Sequence, residues 1–152
     1  MLRRIVLSLA LAATPVIAQT IHYSTDLAQR EAKLLATAKA SPTGLGTDIM
    51  DDYGTARTLF VVRVHDGMPE RHQFWADQMV IRKGTLTLIT GGTMQGEHPN
   101  GTTPGEFLGT SIVGGKETVL HAGDIAHIPA GIPHQIKLAP GATITYLVFK
   151  EK

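Results

Sequence analysis

Short runs rich in Val, Ile, Leu and Thr, separated by turn residues, dominate the chain from residue 57 onward. The clearest run covers residues 58–64, and similar runs follow at 79–81, 85–90, 111–113, 118–121, 125–128, 135–138 and 143–150. Runs of this length with breakers between them are typical of strands in a sandwich or barrel. Because no helical pattern alternates with these runs, we predict an all-β antiparallel jelly roll, not a parallel sheet covered by helices.

One amphipathic helix is predicted before the strands, ending near Ala40. Asp26 is placed to cap its N-terminus, with Gln29 three residues later as in a capping box. The apolar stripe of this helix consists of Leu27, Leu34, Leu35 and Ala38. A single apolar stripe predicts a helix that covers one side of a sheet or a subunit interface. The breaker-rich segment 41–46 (SPTGLG) is interpreted as a linker to the β domain.

The N-terminal segment has the layout of a secretory signal peptide. A basic start with Arg3 and Arg4 precedes an apolar run of twelve residues, and small residues follow up to Ala18. A membrane anchor is the alternative, but about 20 apolar residues are needed to span a bilayer. We therefore expect cleavage after Ala18, a periplasmic or secreted protein, and no membrane association after cleavage. The predicted parts are a signal peptide (1–18), a helix with its linker (19–46) and a β-barrel domain (47–152).

Composition narrows the possible chemistry. The chain has 152 residues, is 43% hydrophobic and contains no Cys, which fits one domain and excludes thiol nucleophiles, thiolate metal sites and disulfides. A net charge of +1 and an aromatic content of 5% argue against nucleic-acid binding. No nucleophile elbow, phosphate-binding loop or dinucleotide glycine pattern is present in the sequence.

The longest stretch without predicted secondary structure covers residues 91–105 and is rich in Gly, Thr and Pro. Loops of this length inside a compact domain are often lids or binding loops, and a mobile surface excursion is the alternative. The stretch is therefore a candidate flap over a ligand site.

The most specific motif is residues 123–134, GDIAHIPAGIPH. Gly123, Pro129, Gly131 and His134 match the pattern G-x5-P-x-G-x2-H, which resembles the second motif of the cupin superfamily. Gly131 permits a tight turn, Pro129 ends a strand ladder, and His134 opens the next strand pointing into the barrel. The resemblance implies a small single-domain cupin.

Residues 67–84 (GMPERHQFWADQMVIRKG) resemble the first cupin motif in a degenerate form, E-x-H-x4-D-x6-G. Glu70 occupies the position of the first histidine of that motif, His72 that of the second, and Asp77 that of the acidic residue. Because residues two apart on a strand share a face, Glu70 and His72 are expected to project together, with Asp77 returning to the same pocket.

The resemblance implies a divalent metal site with ligands His72 and His134 and at least one of Glu70 and Asp77. Imidazole and carboxylate ligands suit Mn, Fe, Ni, Co or Zn. Glu70 and Asp77 are also catalytic candidates, since a carboxylate not bound to metal could act as a general base. His127 is a further catalytic candidate as a proton shuttle. The alternative is a charge-paired remnant of the site that holds no metal.

Three further sets of residues are weaker candidates. Gln78 replaces Asp77 as a ligand if the strand register slips by one residue. The Trp75 ring either forms the floor of a substrate pocket or is a partly buried packing residue. Three other histidines, His65, His98 and His121, have no ligand-like spacing to one another.

The function that follows from the resemblance is a metal-binding protein that acts on a small molecule, with dioxygenase, isomerase or lyase chemistry. The alternative is a non-catalytic periplasmic module that binds a small ligand, with residues 91–105 as its flap. A purely structural dimer is a third possibility, and the resemblance also implies a homodimer. Fold alone does not decide among these functions.

Overall fold

A computed structural model describes residues 20–152, so the predicted signal peptide lies outside the described residues. One helix, α1 (Ser24–Ala40), precedes thirteen strands. The strands are β1 (Leu45–Asp52), β2 (Ala56–Arg63), β3 (Glu70–His72), β4 (Ala76–Lys83), β5 (Thr85–Thr90), β6 (Thr93–Gln95), β7 (His98–Pro99), β8 (Glu106–Leu108), β9 (Ser111–Val113), β10 (Lys116–His121), β11 (Ile125–Ile128), β12 (His134–Lys137) and β13 (Ile144–Glu151). Within residues 20–152, no helix is long and apolar enough to cross a membrane.

Two antiparallel sheets form the body of the molecule. The five-stranded sheet has the order β1-β2-β13-β4-β11, the six-stranded sheet has the order β10-β5-β12-β3-β8-β7, and β6 pairs with β9. Every pairing in these sheets is antiparallel. The predicted antiparallel jelly roll is therefore confirmed.

The main hydrophobic core lies between the two sheets. Alternate residues of each strand point inward, as Met79 and Ile81 do on β4 and Leu86 and Leu88 do on β5. Buried residues of both sheets form one cluster, which fixes the register because a one-residue slip would turn each apolar face outward. The other members of the cluster are Val61, Leu120, Ile128, Ile136, Ile144, Tyr146 and Val148.

The outer face of the five-stranded sheet is covered by α1. Phe60 and Val62 of β2 are fully buried against Leu34 and Ala38 of the helix, while Val61 between them faces the barrel interior. The predicted apolar stripe therefore packs on a sheet, as expected of an amphipathic helix.

The helix follows Tyr23 and ends at Ala40, as predicted. The prediction that Asp26 caps the helix is wrong, because Tyr23 is the N-cap residue and its carbonyl accepts a hydrogen bond from the Leu27 N–H at 3.0 Å. No side chain caps this end. Asp26 lies in the first turn, where the helix dipole favours a negative charge.

Strand β1 begins inside the segment predicted to be a linker, and the sequence pattern did not predict it. Its three aspartates make it look like a loop, but it is an edge strand whose Asp48 pairs with Arg30 of the helix. Gly46 contacts the helix so closely that a Cβ there would lie 2.2 Å from the Leu34 carbonyl oxygen. Contacts distant in sequence thus stabilise this strand.

The segment 91–105, predicted to lack structure, contains β6 and β7. β6 pairs with β9, and β7 pairs with β8 at the edge of the six-stranded sheet. Strand pairs as short as these were not visible as hydrophobic periodicity. The segment is therefore a small β excursion and not an irregular loop.

Candidate metal centre

Four side chains from three strands converge at one end of the barrel interior. Glu70 and His72 are two residues apart on β3, Asp77 lies near the start of β4, and His134 opens β12. Glu70 and His134 are paired across neighbouring strands. Glu70, His72 and His134 each offer a ligand atom, and these atoms lie within 4.8 Å of one another. The structure thus brings together all four predicted metal ligands.

Both imidazoles direct Nε2 toward both carboxylates. His72 Nε2 lies 3.4 Å from Asp77 Oδ2 and 3.9 Å from Glu70 Oε2. His134 Nε2 lies 3.5 Å from Glu70 Oε1 and 3.9 Å from Asp77 Oδ2. The ring centroids are 5.1 Å apart. A single ion placed among these atoms would therefore meet two imidazole nitrogens and oxygens from two carboxylates.

The other ring nitrogen of each histidine already has a partner. His134 Nδ1 lies 3.1 Å from the Ile132 carbonyl oxygen, to which it donates. His72 Nδ1 lies 2.5 Å from Glu106 Oε2 on β8. Partners of this kind fix the ring orientation and the tautomer of metal-binding histidines, leaving the lone pair of Nε2 free when the imidazole is neutral.

Glu106 is a functional residue that the sequence analysis missed. It follows the excursion and pairs in register with His72, from which it is separated by 34 residues. No local spacing connects the two positions. The only available signal was an acidic residue at the start of a short apolar run, Glu106-Phe107-Leu108.

Lys150 is the second missed residue. It is the register partner of Asp77 on β13, and its Nζ lies 2.5 Å from Asp77 Oδ1. The inner face of β13 presents alternate residues to the cavity: Tyr146, Val148 and Lys150. The strand therefore runs from the hydrophobic core to the candidate site. One carboxylate oxygen of Asp77 therefore contacts Lys150, and the other faces the two histidines.

The turn before His134 is bonded to the other histidine's strand. Gly131 has a φ of 81° and its N–H donates to the His72 carbonyl at 2.7 Å. A positive φ is accessible to glycine at little cost, which explains why this position needs it. The two motifs recognised separately in the sequence are thus joined directly by their main chains.

Comparison with known proteins supports the architecture. No protein-family model matches the chain, and no curated protein sequence matches it. Solved structures do match. KdgF from Halomonas sp. has a TM-score of 0.50 at 12% identity, over 74% of this chain and 83% of that one. An oxalate oxidase in complex with glycolate has a TM-score of 0.53 at 15% identity, over 74% of this chain and 53% of that one. The Schizosaccharomyces pombe Cnp3 cupin domain has a TM-score of 0.51 at 9% identity, over 71% of this chain and 61% of that one.

The chain has the cupin fold. At such low identities the likeness establishes architecture and nothing about activity. The chain spans only about half of the oxalate oxidase that it matches. The chemistry of this protein must therefore be argued from its own residues.

The cluster of Glu70, His72, Asp77 and His134 is a network of opposite charges. Burial alone would raise the pKa of Glu70, but its hydrogen bond to His134 and the nearby charges of His134, His72 and Arg63 lower it to about 2. Burial alone would lower the pKa of His72, but hydrogen bonds with Asp77 and Glu106 raise it to about 9. The pKa of Asp77 is lowered despite its burial, chiefly by its hydrogen bond to His72 and the charge of Lys150. In protein prepared without metal, the carboxylates are therefore ionised and His72 carries a compensating proton.

The four groups line one end of a cavity of about 160 Å³. Its remaining wall contains six apolar residues and four further polar residues, which are Thr47, Arg63, Tyr146 and Lys150. The apolar lining residues are Leu45, Leu59, Val61, Met79, Ile136 and Val148. Such a wall excludes water around a small polar group, which strengthens electrostatic interactions inside the cavity.

The other candidate residues lie outside this cavity. His127 and Gln78 face each other across β11 and β4, and both side chains are exposed, outside the residues that line the cavity. Asp77 is buried and Gln78 exposed, so the register has not slipped. Trp75 is a buried anchor between Arg57 and Lys152, whose cationic groups lie 4.8 and 4.6 Å from its ring. Three weaker candidates, His65, His98 and His121, are all exposed.

Proposed function

We propose that this cupin is a metal-dependent enzyme that acts on a small molecule with dioxygenase, isomerase or lyase chemistry. The observation that carries the proposal is the convergence of Glu70, His72 and His134 with both Nδ1 atoms already engaged. Preorganised imidazoles that present Nε2 beside a carboxylate are the arrangement expected of a metal site. A salt-bridged remnant needs neither the common direction of the two rings nor their separate supports.

The donor set fits a divalent transition metal. Two imidazole nitrogens and the Glu70 carboxylate match the ligand type of Mn, Fe, Co, Ni and Zn, and Asp77 offers a fourth donor. A metal bound there supplies a Lewis acid for a substrate oxygen and, if it is redox-active, a site for O₂ chemistry.

The protein's own residues supply proton transfer and positioning. Asp77 Oδ1 is held by Lys150, so Oδ2 is presented at a fixed place in the cavity. If Asp77 does not bind the metal, that oxygen is suited to accept a proton from a bound substrate, because the hydrogen bond with His72 and the Lys150 charge lower the pKa of the carboxyl group. Glu106 positions the His72 ring, and the apolar wall keeps bulk water from the cavity.

Metal analysis of histidine variants tests the proposal. Protein purified without added metal is incubated separately with each of the five divalent ions, dialysed, and analysed by plasma mass spectrometry. We expect about one ion per chain for the preferred metal, and its loss in His72→Ala and His134→Ala. His121→Ala and His127→Ala, which remove exposed histidines, are the matched controls and should keep the metal.

A parent protein that stays without metal after every incubation contradicts the proposal and favours the non-catalytic ligand-binding module. Oxygen uptake then separates the proposed reaction types. A dioxygenase consumes one O₂ for each substrate molecule, whereas an isomerase or a lyase consumes none.

The proposal places the protein in the periplasm or outside the cell, with residues 1–18 removed. The basic start, apolar run and small residues up to Ala18 support it. Intact mass measurement of protein recovered from expressing cells tests it, and a mass that includes residues 1–18 contradicts it.

A homodimer is also proposed. Exposed apolar side chains lie on an edge strand of each main sheet, Ile49 on β1 and Val119 on β10. Such edges are natural pairing surfaces. Light scattering coupled to size-exclusion chromatography tests this, and a monomeric mass contradicts it.

A further inference from the structure

Arg63 has a charge that no carboxylate balances directly. It ends β2 and alternates with Val61 and Leu59 on the inner face, so its side chain points into the barrel. Its Nε donates to the Tyr146 hydroxyl at 3.2 Å. Within residues 20–152 no carboxylate forms an ion pair with its guanidinium, whereas Arg30, Arg57 and Arg71 each have one. A half-buried cation of this kind is a natural partner for an anion.

The guanidinium is held in place on two sides. Tyr146 is buried and fixes Nε. Gly67 packs against the guanidinium, and a Cβ at that position would lie 3.3 Å from Cζ. Gly67 is itself fixed, because its N–H donates to the Ile136 carbonyl at 2.8 Å and its carbonyl accepts from Gln135 Nε2 at 2.8 Å. The cation is therefore preorganised, which lowers the entropic cost of binding a ligand.

Arg63 lies where two cavities meet. The inner cavity contains the metal centre, and an outer cavity of about 420 Å³ shares Leu45, Arg63 and Glu70 with it. A volume of this size is usual for small-molecule sites. The outer wall is partly apolar, with Met68 and Leu108 among its residues. A small molecule in the outer cavity thus lies next to Arg63, and the candidate metal centre lies in the adjoining inner cavity.

The two other acidic groups near Arg63 are already engaged. Asp66 in the outer cavity pairs with Lys137 at 2.7 Å and accepts a hydrogen bond from the Leu138 N–H at 2.7 Å. Glu70 directs its oxygens toward the two histidines. Once a metal ion takes the Glu70 carboxylate, the charge of Arg63 has no partner within the protein. The inner and outer cavities together therefore favour an anionic ligand.

We infer that Arg63 binds the carboxylate of a small organic acid whose short apolar body occupies the outer cavity next to the metal centre. The planar guanidinium matches a carboxylate with two parallel N–H donors. The inference names the substrate class of the proposed enzyme and rests on that function for the role of the acid as a substrate. Binding of the acid itself needs only Arg63 and the outer cavity.

Calorimetric titration of metal-loaded protein with butanoate tests the inference, with butanamide as the neutral probe of the same shape. We expect butanoate to bind at least about tenfold more tightly than butanamide, the effect of one charge-assisted hydrogen-bond pair. This comparison uses the parent protein and does not depend on the folding of any variant. Equal binding of the two probes overturns the inference, as does tighter binding of inorganic phosphate than of butanoate.

Variants then assign the effect to Arg63. Arg63→Gln should lower butanoate affinity about 10- to 100-fold, and Arg63→Lys, which keeps the charge without the fork, should lower it less. Arg82→Gln removes an exposed arginine on β4 and should leave butanoate affinity unchanged. Unchanged affinity in a folded Arg63→Gln protein overturns the inference.

Metal content of the same samples separates the two proposals. Arg63→Gln is expected to keep its metal while losing butanoate. Loss of metal without loss of butanoate binding contradicts a carboxylate site at Arg63. A parent protein that takes up no metal but binds butanoate through Arg63 contradicts the proposed metal-dependent function and supports the carboxylate site.

Discussion

The two histidines of the candidate metal centre face the same cavity but are supported in different ways. His134 donates to a main-chain carbonyl two residues away, within the turn that also contains Gly131. His72 donates to a side-chain carboxylate, Glu106, that reaches it from 34 residues away across a strand pair. The first support is local and neutral, whereas the second is distant and charged. One half of the site is therefore fixed by its own turn, and the other half depends on the excursion folding correctly.

The largest expected effect of breaking this asymmetry follows from Glu106→Gln. The amide keeps the shape but loses the negative charge that holds the His72 ring, so metal affinity should fall about 10- to 100-fold, as for other partners of ligand histidines. Titration against a competing metal chelator measures it. Glu97→Gln is the matched control, because Glu97 lies in the excursion that precedes Glu106 and pairs with Arg71 away from the site. Equal effects of the two variants would show that charge loss in the excursion, and not the contact with His72, is responsible.

The pKa of His72 in the parent protein and in Glu106→Gln provides a second test of the Glu106 contact. Because hydrogen bonds with Asp77 and Glu106 outweigh burial, its pKa in metal-free protein is raised from 6.5 to about 9. A raised pKa stabilises the folded state fully below about pH 6.5, and that stabilisation is lost as the pH rises through about 9. Nitrogen-15 NMR titration of the metal-free protein should show this pKa, with a lower value in Glu106→Gln. An unchanged pKa in that variant would contradict the role given to Glu106.

Gly131→Ala tests the link between the two halves. At a φ of 81° a Cβ meets no atom within 4 Å, so backbone strain alone should cost about 1–2 kcal/mol of unfolding free energy. Gly54→Ala is a close control, since its φ is 80° and its Cβ position is equally open in the β1–β2 turn. Chemical denaturation should give similar losses, but only Gly131→Ala should also weaken metal binding, because its N–H contacts the His72 strand. Equal metal affinity in both variants would argue against that coupling.

The smallest expected effect belongs to Ile132→Ala. His134 uses the carbonyl of residue 132, and the Ile132 side chain is 36% exposed. Metal affinity should therefore stay within about twofold of the parent, the range of ordinary surface substitutions. A loss comparable to that of Glu106→Gln would mean that the turn, too, depends on side-chain packing.

The same asymmetry explains what the sequence could predict. The strand pattern and the spacing around Gly131 and His134 express local constraints, so the jelly roll and the second half of the site were predictable. Glu70 and His72 followed from strand periodicity, and their grouping with Asp77 followed from a degenerate motif. Those predictions needed only residues close together in the chain.

Residues that reach the site only through the pairing of strands distant in sequence were not predictable in this way. Glu106 and Lys150 reach the site because β8 pairs with β3 and β13 pairs with β4. Strand β1 was missed for a related reason, since its aspartates suggest a loop and its stability comes from the helix and β2. The predicted Asp26 cap was wrong because the helix already includes Ser24 and Thr25. Both residues are polar, so the apolar periodicity does not indicate this first turn.

The pairing of His72 with Glu106 has an evolutionary consequence. When another residue's side chain orients a histidine, a mutation at either position removes that orientation. When a main-chain carbonyl orients it, almost any side chain is tolerated at the partner position. Among descendants of this protein, positions 72 and 106 should therefore change together. Position 132 should drift freely while His134 is retained.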